Sequence, residues 1–200
     1  MSRQLFDLSV RIRLILTVLL AILAAPGLAA AVEIRTVTSP NGINAWLVED
    51  YSVPIVSVAM SFQGGSAQDP EGKEGLANLL STLFDEGAGP LDSAAFQARA
   101  EQLGITLRFS DGRDAFSGLL RTLRDDRAEA FEMLRLSLNE LHLDEKSIDR
   151  MREQLKSQIA RRANEPTTRA GDALREGLFG DHPYSRRSVG TIEGLDAITR

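Results

Sequence analysis

The sequence predicts an α+β fold, a largely antiparallel sheet packed against helices, on three observations. Short segments that alternate apolar and polar residues occur near the start and again in the middle, each bounded by turn residues. Between and after them, apolar residues recur every three or four positions, the spacing of a helix with one buried face. The order is strands, two helices, a strand pair and then helices, which is not the one-for-one alternation that builds a parallel sheet.

"VEIRTV" and "NAWLVED" flank "TSPNGI", where Pro40, Asn41 and Gly42 mark a turn between two strands. A third strand, "VPIVSVAMSFQGG", sets Val56, Val58 and Met60 against Ser57, Ala59 and Ser61 and ends at Gly64 and Gly65. Asp69-Pro70 is placed to open a helical region, Asp as cap and Pro in the first turn. In "GLANLLSTLFDEG" (75–87), Leu76, Leu79, Leu80, Leu83 and Phe84 form an apolar stripe, with Leu80 expected to face the sheet. Asp92 should cap a second helix, with Phe96, Ala100 and Leu103 on one face and Gly104 as its stop. "ITLRF", "SDGR" and "DAFSGLLRTL" read as an antiparallel hairpin. Phe131, Leu134, Leu138 and Leu141 mark a third helix, and Ile148, Met151, Leu155 and Ile159 a fourth that breaks at Asn164-Glu165-Pro166.

Residues 1–31 have the order of a signal peptide: a net basic start, the apolar run "LILTVLLAILAA", then small residues with Ala29 and Ala31 before a cut. The stretch from Leu14 to Ala31 also approaches the length of a membrane span; its small-residue end favours cleavage over an uncleaved anchor. The expected mature domain is 32–200, exported to the periplasm or secreted, with no strong membrane association once cut. Losing Arg3, Arg11, Arg13 and Asp7 with the leader takes the net charge from −5 to −7. That argues against nucleic acid as a partner. No cysteine is present, so disulfides, thiolate metal sites and a cysteine nucleophile are excluded.

"GGSAQDPEGKEGLANLLSTLFDEGAG" resembles the N-terminal domain of the insulinase/pitrilysin-type zinc peptidases, the inverted zincins. The later segments "ITLRFSDGRDAFSGLLRTL", "REQLKSQIARRANEP" and "DHPYSRRSVGTIEGLDAITR" are similar in the same order, so the resemblance covers about residues 33–200. It implies that domain's fold, and an active pattern of His-x-x-Glu-His on a helix with a glutamate ligand downstream. Here Asn78 and Thr82 stand at the two histidine positions, Ser81 at the catalytic glutamate and Gln158 at the third ligand. Zinc prefers imidazole, thiolate or carboxylate, and none of the four supplies one. On this reading the chain has no catalytic, cofactor-binding or metal residues, and zinc is expected only in a partner. Polar residues opposite a leucine stripe occur on any surface helix, so the polar face by itself indicates no site.

The family resemblance implies a non-catalytic subunit in a heterodimer with an active, zinc-bearing homologue, supplying chamber wall and contacts to a peptide or protein substrate. The alternatives are an independent envelope binding or scaffold protein, and a metallopeptidase with a non-standard site. It also implies further strands, and a second similar domain, beyond Arg200. Elsewhere the sequence offers little chemistry. His142 is placed to cap a helix end, and His182 in "HPY" to pack around Tyr184; neither has a second histidine one helical turn away. Asp111 with Asp114, and Asp125 with Asp126, suit turns and helix starts. The arginine doublets at 161–162 and 186–187 are too sparse for a nucleic-acid patch. There is no phosphate-binding glycine loop, and no serine sits in a nucleophile elbow.

Overall fold

The computed structural model describes residues 33–199; the leader predicted for residues 1–31 lies outside them. The chain divides after Ser52 into two units. The first contains an antiparallel hairpin of β1 (Ile34–Thr38) and β2 (Asn44–Val48), in register from Ile34 opposite Val48 to Thr38 opposite Asn44. Its turn closes where Ser39 N donates to Ile43 O at 2.8 Å, at the predicted "SPNG".

The second unit is built on three antiparallel strands in the order β3 (Ile55–Gln63), β7 (Ala115–Leu123), β6 (Thr106–Asp111). The register pairs Val58 with Leu120 and Leu120 with Leu107, then Met60 with Gly118 and Gly118 with Phe109. These residues therefore share one face, as the alternation predicts. Helices α2 (Ser93–Gln102) and α3 (Arg127–Asn139) contribute to the core on this face. Phe96, Leu120, Ala130 and Met133 are buried there, with Val58, Met60 and Leu107 against them. Gly118 leaves room for two large neighbours: a Cβ on it would lie 2.9 Å from both Met60 Cγ and Phe109 Cε1. Asp92 caps α2 as expected, its Oδ1 accepting from Ala95 N at 2.8 Å.

A second core joins α1 (Leu76–Ser81) to α4 (Glu145–Arg162) and α6 (Ile192–Asp196). Leu79 and Leu83 are buried with Ile148, Met151, Leu155, Ile159, Leu195 and Ile198. The stripe predicted for α4 is thus its buried face. The stripes of two other helices are corrected. In α1 only Leu79 is buried while Leu80 is half-buried; Leu83, just past the helix, is buried too, and Phe84 turns to the sheet, its ring stacked 4.0 Å from that of Phe109. In α3, Ala130, Met133, Leu134 and Leu136 are inside, whereas Phe131 and Leu138 are exposed and Leu141 lies beyond the helix, bridged to Ala88. Ala88 belongs to a two-residue strand, β4 (Gly87–Ala88), which pairs with β5 (Leu91–Asp92).

The remaining long helix, α5 (Pro166–Phe179), buries none of its residues; Leu174, Leu178 and Phe179 are exposed. Pro166 starts it, where a missing N–H costs nothing. No helix among the described residues is long and apolar enough to cross a membrane.

Candidate functional site

Helix α1 is short because its end tightens. Thr82 is its C-cap, not a helical residue, and Thr82 N donates to Leu79 O at 3.1 Å, an i to i−3 bond; Leu83 N repeats the pattern to Leu80 O. The expectation of one regular helix through residue 84 is corrected accordingly. The hydroxyls follow the backbone: Ser81 Oγ donates to Asn78 O and Thr82 Oγ1 to Leu79 O, each at 2.7 Å. Such bonds from serine and threonine compete with the regular helical pattern.

The start of α1 is held from outside the helix. Asp69 is 6% exposed, and its two carboxylate oxygens accept from Gly75 N at 2.8 Å and Ala77 N at 3.0 Å. The predicted start is corrected: Gly75, not Asp69, is the N-cap and Pro70 stands outside the helix, while Asp69 satisfies the N–H groups of Gly75 and Ala77 from six residues before the cap. Burial pushes the Asp69 carboxyl up, and the bonds from Gly75 and Ala77 oppose this. Arg186 Nη1 donates to Asp69 O at 3.0 Å, and Arg113 Nη1 to Tyr184 O at 2.9 Å. Tyr184 Oη donates to Asp114 Oδ2 at 2.6 Å. The "HPYSRR" segment, the hairpin turn and the loop before α1 are therefore one hydrogen-bonded assembly.

The histidines serve local structure. His182 Nδ1 accepts from Tyr184 N at 3.2 Å, with the two rings edge to face at 4.8 Å, which matches the packing role predicted for it. His142 does not cap α3. Its Nε2 lies 2.8 Å from Gly89 O, and its backbone N donates to Gly87 O at 3.0 Å, fastening the chain after α3 to the β4 turn.

Of the four positions singled out in sequence, Asn78, Ser81 and Thr82 lie together on and just after α1, all half-buried. Gln158 lies on α4, which packs against α1 through Leu79, Leu83, Leu155 and Ile159. Among the described residues no hydrogen bond joins Gln158 to the other three. It opens instead onto a cavity of about 140 Å³ shared with Arg162, Asp172, Arg175 and Arg187. Two amides and two hydroxyls already donating to carbonyls do not fit a zinc ion. Among the described residues no three His, Cys, Asp or Glu side chains cluster to hold a metal.

The arginines of that cavity are the group that sequence reasoning missed. Arg162 and Arg187 belong to the two doublets, which as linear motifs are weak; the fold brings one member of each to the same cavity.

A sheet of three antiparallel strands with helices packed against it is an α+β domain. The family model of insulinase (peptidase family M16) matches residues 45–192, and the chain belongs to that family. It is 24% identical over 172 residues to cytochrome b-c1 complex subunit 1, mitochondrial, of Caenorhabditis elegans, covering 86% of this chain and 36% of that protein. An uncharacterized zinc protease of Mycobacterium leprae is 23% identical over 170 residues, covering 82% and 37%. The structure of a peptidase M16 inactive domain from Pseudomonas fluorescens superposes with a TM-score of 0.78 at 25% identity, covering 84% of this chain and 41% of that one. The chain thus spans 36% and 37% of the two curated relatives it matches.

Proposed function

We propose that this chain is the non-catalytic partner of an active, zinc-bearing peptidase of the same family, exported by its leader and contributing chamber wall and substrate contacts. The observation that carries the reading is the chemistry at Asn78, Ser81, Thr82 and Gln158. All four positions where the family's active pattern has ligands or general base hold neutral side chains, and the two hydroxyls are bonded to helix carbonyls. A site of this kind folds without an ion, because packing of Leu79 and Leu83 on α4 holds α1 in place. Similarity to a protein described as an inactive domain supports the same reading.

The test has two arms. Chelator-washed protein should hold far less than one zinc per chain, and the chain should co-purify with an intact His-x-x-Glu-His homologue from the same envelope fraction. Stoichiometric zinc would overturn the non-catalytic reading. A chain that never associates with the homologue would leave an independent binding protein as the better account.

A further inference from the structure

The cavity beside Gln158 has a charge balance unlike the rest of this acidic chain. Arg162, Arg175 and Arg187 converge on it and meet one carboxylate, Asp172. Asp172 pairs through Oδ1 with Arg175 and through Oδ2 with Arg187, so a single carboxylate holds two guanidinium groups in place. The Arg162 side chain makes no hydrogen bond or ion pair among the described residues. Arg175 Nε is buried and has no hydrogen-bond partner there either. A buried N–H without an acceptor is costly, and a fixed, positively charged fork beside a cavity is the arrangement that captures an oxyanion. Gln158, Thr168 and Ser188 add neutral polar groups, and Ile159 and Val189 form an apolar wall. A volume of about 140 Å³ is that of several waters at about 30 Å³ each, room for a carboxylate on a short apolar stem.

We propose that this cavity binds a peptide carboxylate, either an acidic side chain or a chain terminus, gripped by Arg162, Arg175 and Arg187 with Gln158 at its edge. The choice of a peptide as the source rests on the function proposed above. The oxyanion site itself rests only on the convergence of the arginines. At the third-ligand position an amide, in place of a glutamate, removes a negative charge that would repel such a ligand.

The experiment titrates the full chain with three small probes while backbone amide resonances are followed by NMR. N-acetyl-glutamate N-methylamide carries a side-chain carboxylate, N-acetyl-alanine a terminal one, and N-acetyl-glutamine N-methylamide neither. Saturable shifts at the Thr168, Ser188 and Val189 amides are expected from at least one carboxylate probe, with the neutral probe at least tenfold weaker. Whichever carboxylate saturates identifies the source. Arg162→Gln touches no bond in the fold and should weaken binding at least fivefold, and Arg187→Gln should do the same. Equal responses to charged and neutral probes, no saturation by either acid, or unchanged affinity in both variants would overturn the proposal. The measurement needs no partner, so failure to pair with a homologue is read separately by co-purification.

Discussion

Gly190 packs backbone to backbone on Gly75, across 115 positions of sequence: a Cβ on Gly190 would lie 2.5 Å from Gly75 Cα and 2.3 Å from the Glu74 carbonyl oxygen. Both glycines have positive φ, +84° and +102°, so neither conformation nor space admits a side chain. Gly75 also gives its N–H to Asp69, and the contact sets where α1 begins. Gly190→Ala should therefore cost about 2–5 kcal/mol, overpacking added to left-handed strain. Gly104→Ala, at φ +59° with nothing within 4 Å, is the control for conformation alone and should cost about 1–2 kcal/mol. Urea unfolding of the two variants separates the terms, and equal losses would deny the close contact.

The two leucines in the middle of α1 should behave differently. Leu79 is 2% exposed in the core shared with α4, and Leu80 is half-buried. Leu79→Ala should cost about 2–5 kcal/mol, as transfer and cavity terms combine. Leu80→Ala should cost less than half as much, because the surface it leaves is already partly wet. Denaturant midpoints compared at equal m-value decide between them.

How much of this was legible follows from periodicity. The β6–β7 hairpin could be read as a pair of segments and α4 residue by residue, because α4 buries a regular set, Ile148, Met151, Leu155 and Ile159, while the hairpin buries Leu120 with Leu107 and Phe109 partly buried against the core. In α3 the largest apolar residues misled, since Phe131 and Leu138 are outside while smaller Ala130 and Ser137 are inside. Tertiary packing selects the face that fits, not the most hydrophobic one. The end of α1 was hidden for another reason: Ser81 and Thr82 take their own helix's carbonyls, an effect of side-chain chemistry that a stripe of leucines does not register. The positions of Asn78, Ser81, Thr82 and Gln158 came from likeness to a family. The arginine cavity needed three dimensions, because Arg162, Arg175 and Arg187 are scattered over α4, α5 and the loop after them.

Asp111 should reveal itself through pH. Burial pushes its carboxyl up, its own backbone N–H opposes this, and the negative charge of Asp69 pushes it further. A raised folded-state value means that the folded form prefers the protonated acid. Stability linked to this group is then full below the ordinary aspartate range and is lost as pH rises through the raised value. Asp111→Asn stays neutral throughout, so it should be more stable than wild type near neutral pH. The advantage should vanish below the ordinary aspartate range, where both side chains are uncharged. Thermal unfolding at acid and neutral pH checks the sign; a variant less stable at pH 7 than wild type would contradict it.

Restoring the metal chemistry tests the positions themselves. Asn78→His, Ser81→Glu, Thr82→His and Gln158→Glu together would supply two imidazoles, a carboxylate ligand and a general base. In a regular α-helix residues 78 and 82 share a face one turn apart. Here Thr82 N bonds Leu79 O, so the turn is tighter than a regular α-helical one. Removing the Ser81 and Thr82 hydroxyls also removes their bonds to Asn78 O and Leu79 O, which frees the end of α1 to relax to i to i−4 pairing. The fourfold variant should therefore bind zinc at least tenfold more tightly than wild type, by competition with a chromogenic chelator. Asn78→His and Thr82→His alone should recover only part of the gain, since the carboxylate on α4 is missing. Peptidase activity need not return, because the groups that orient ligands and substrate around an active site are a separate requirement. A folded fourfold variant with wild-type zinc affinity would show that α1 and α4 do not bring these positions to one point.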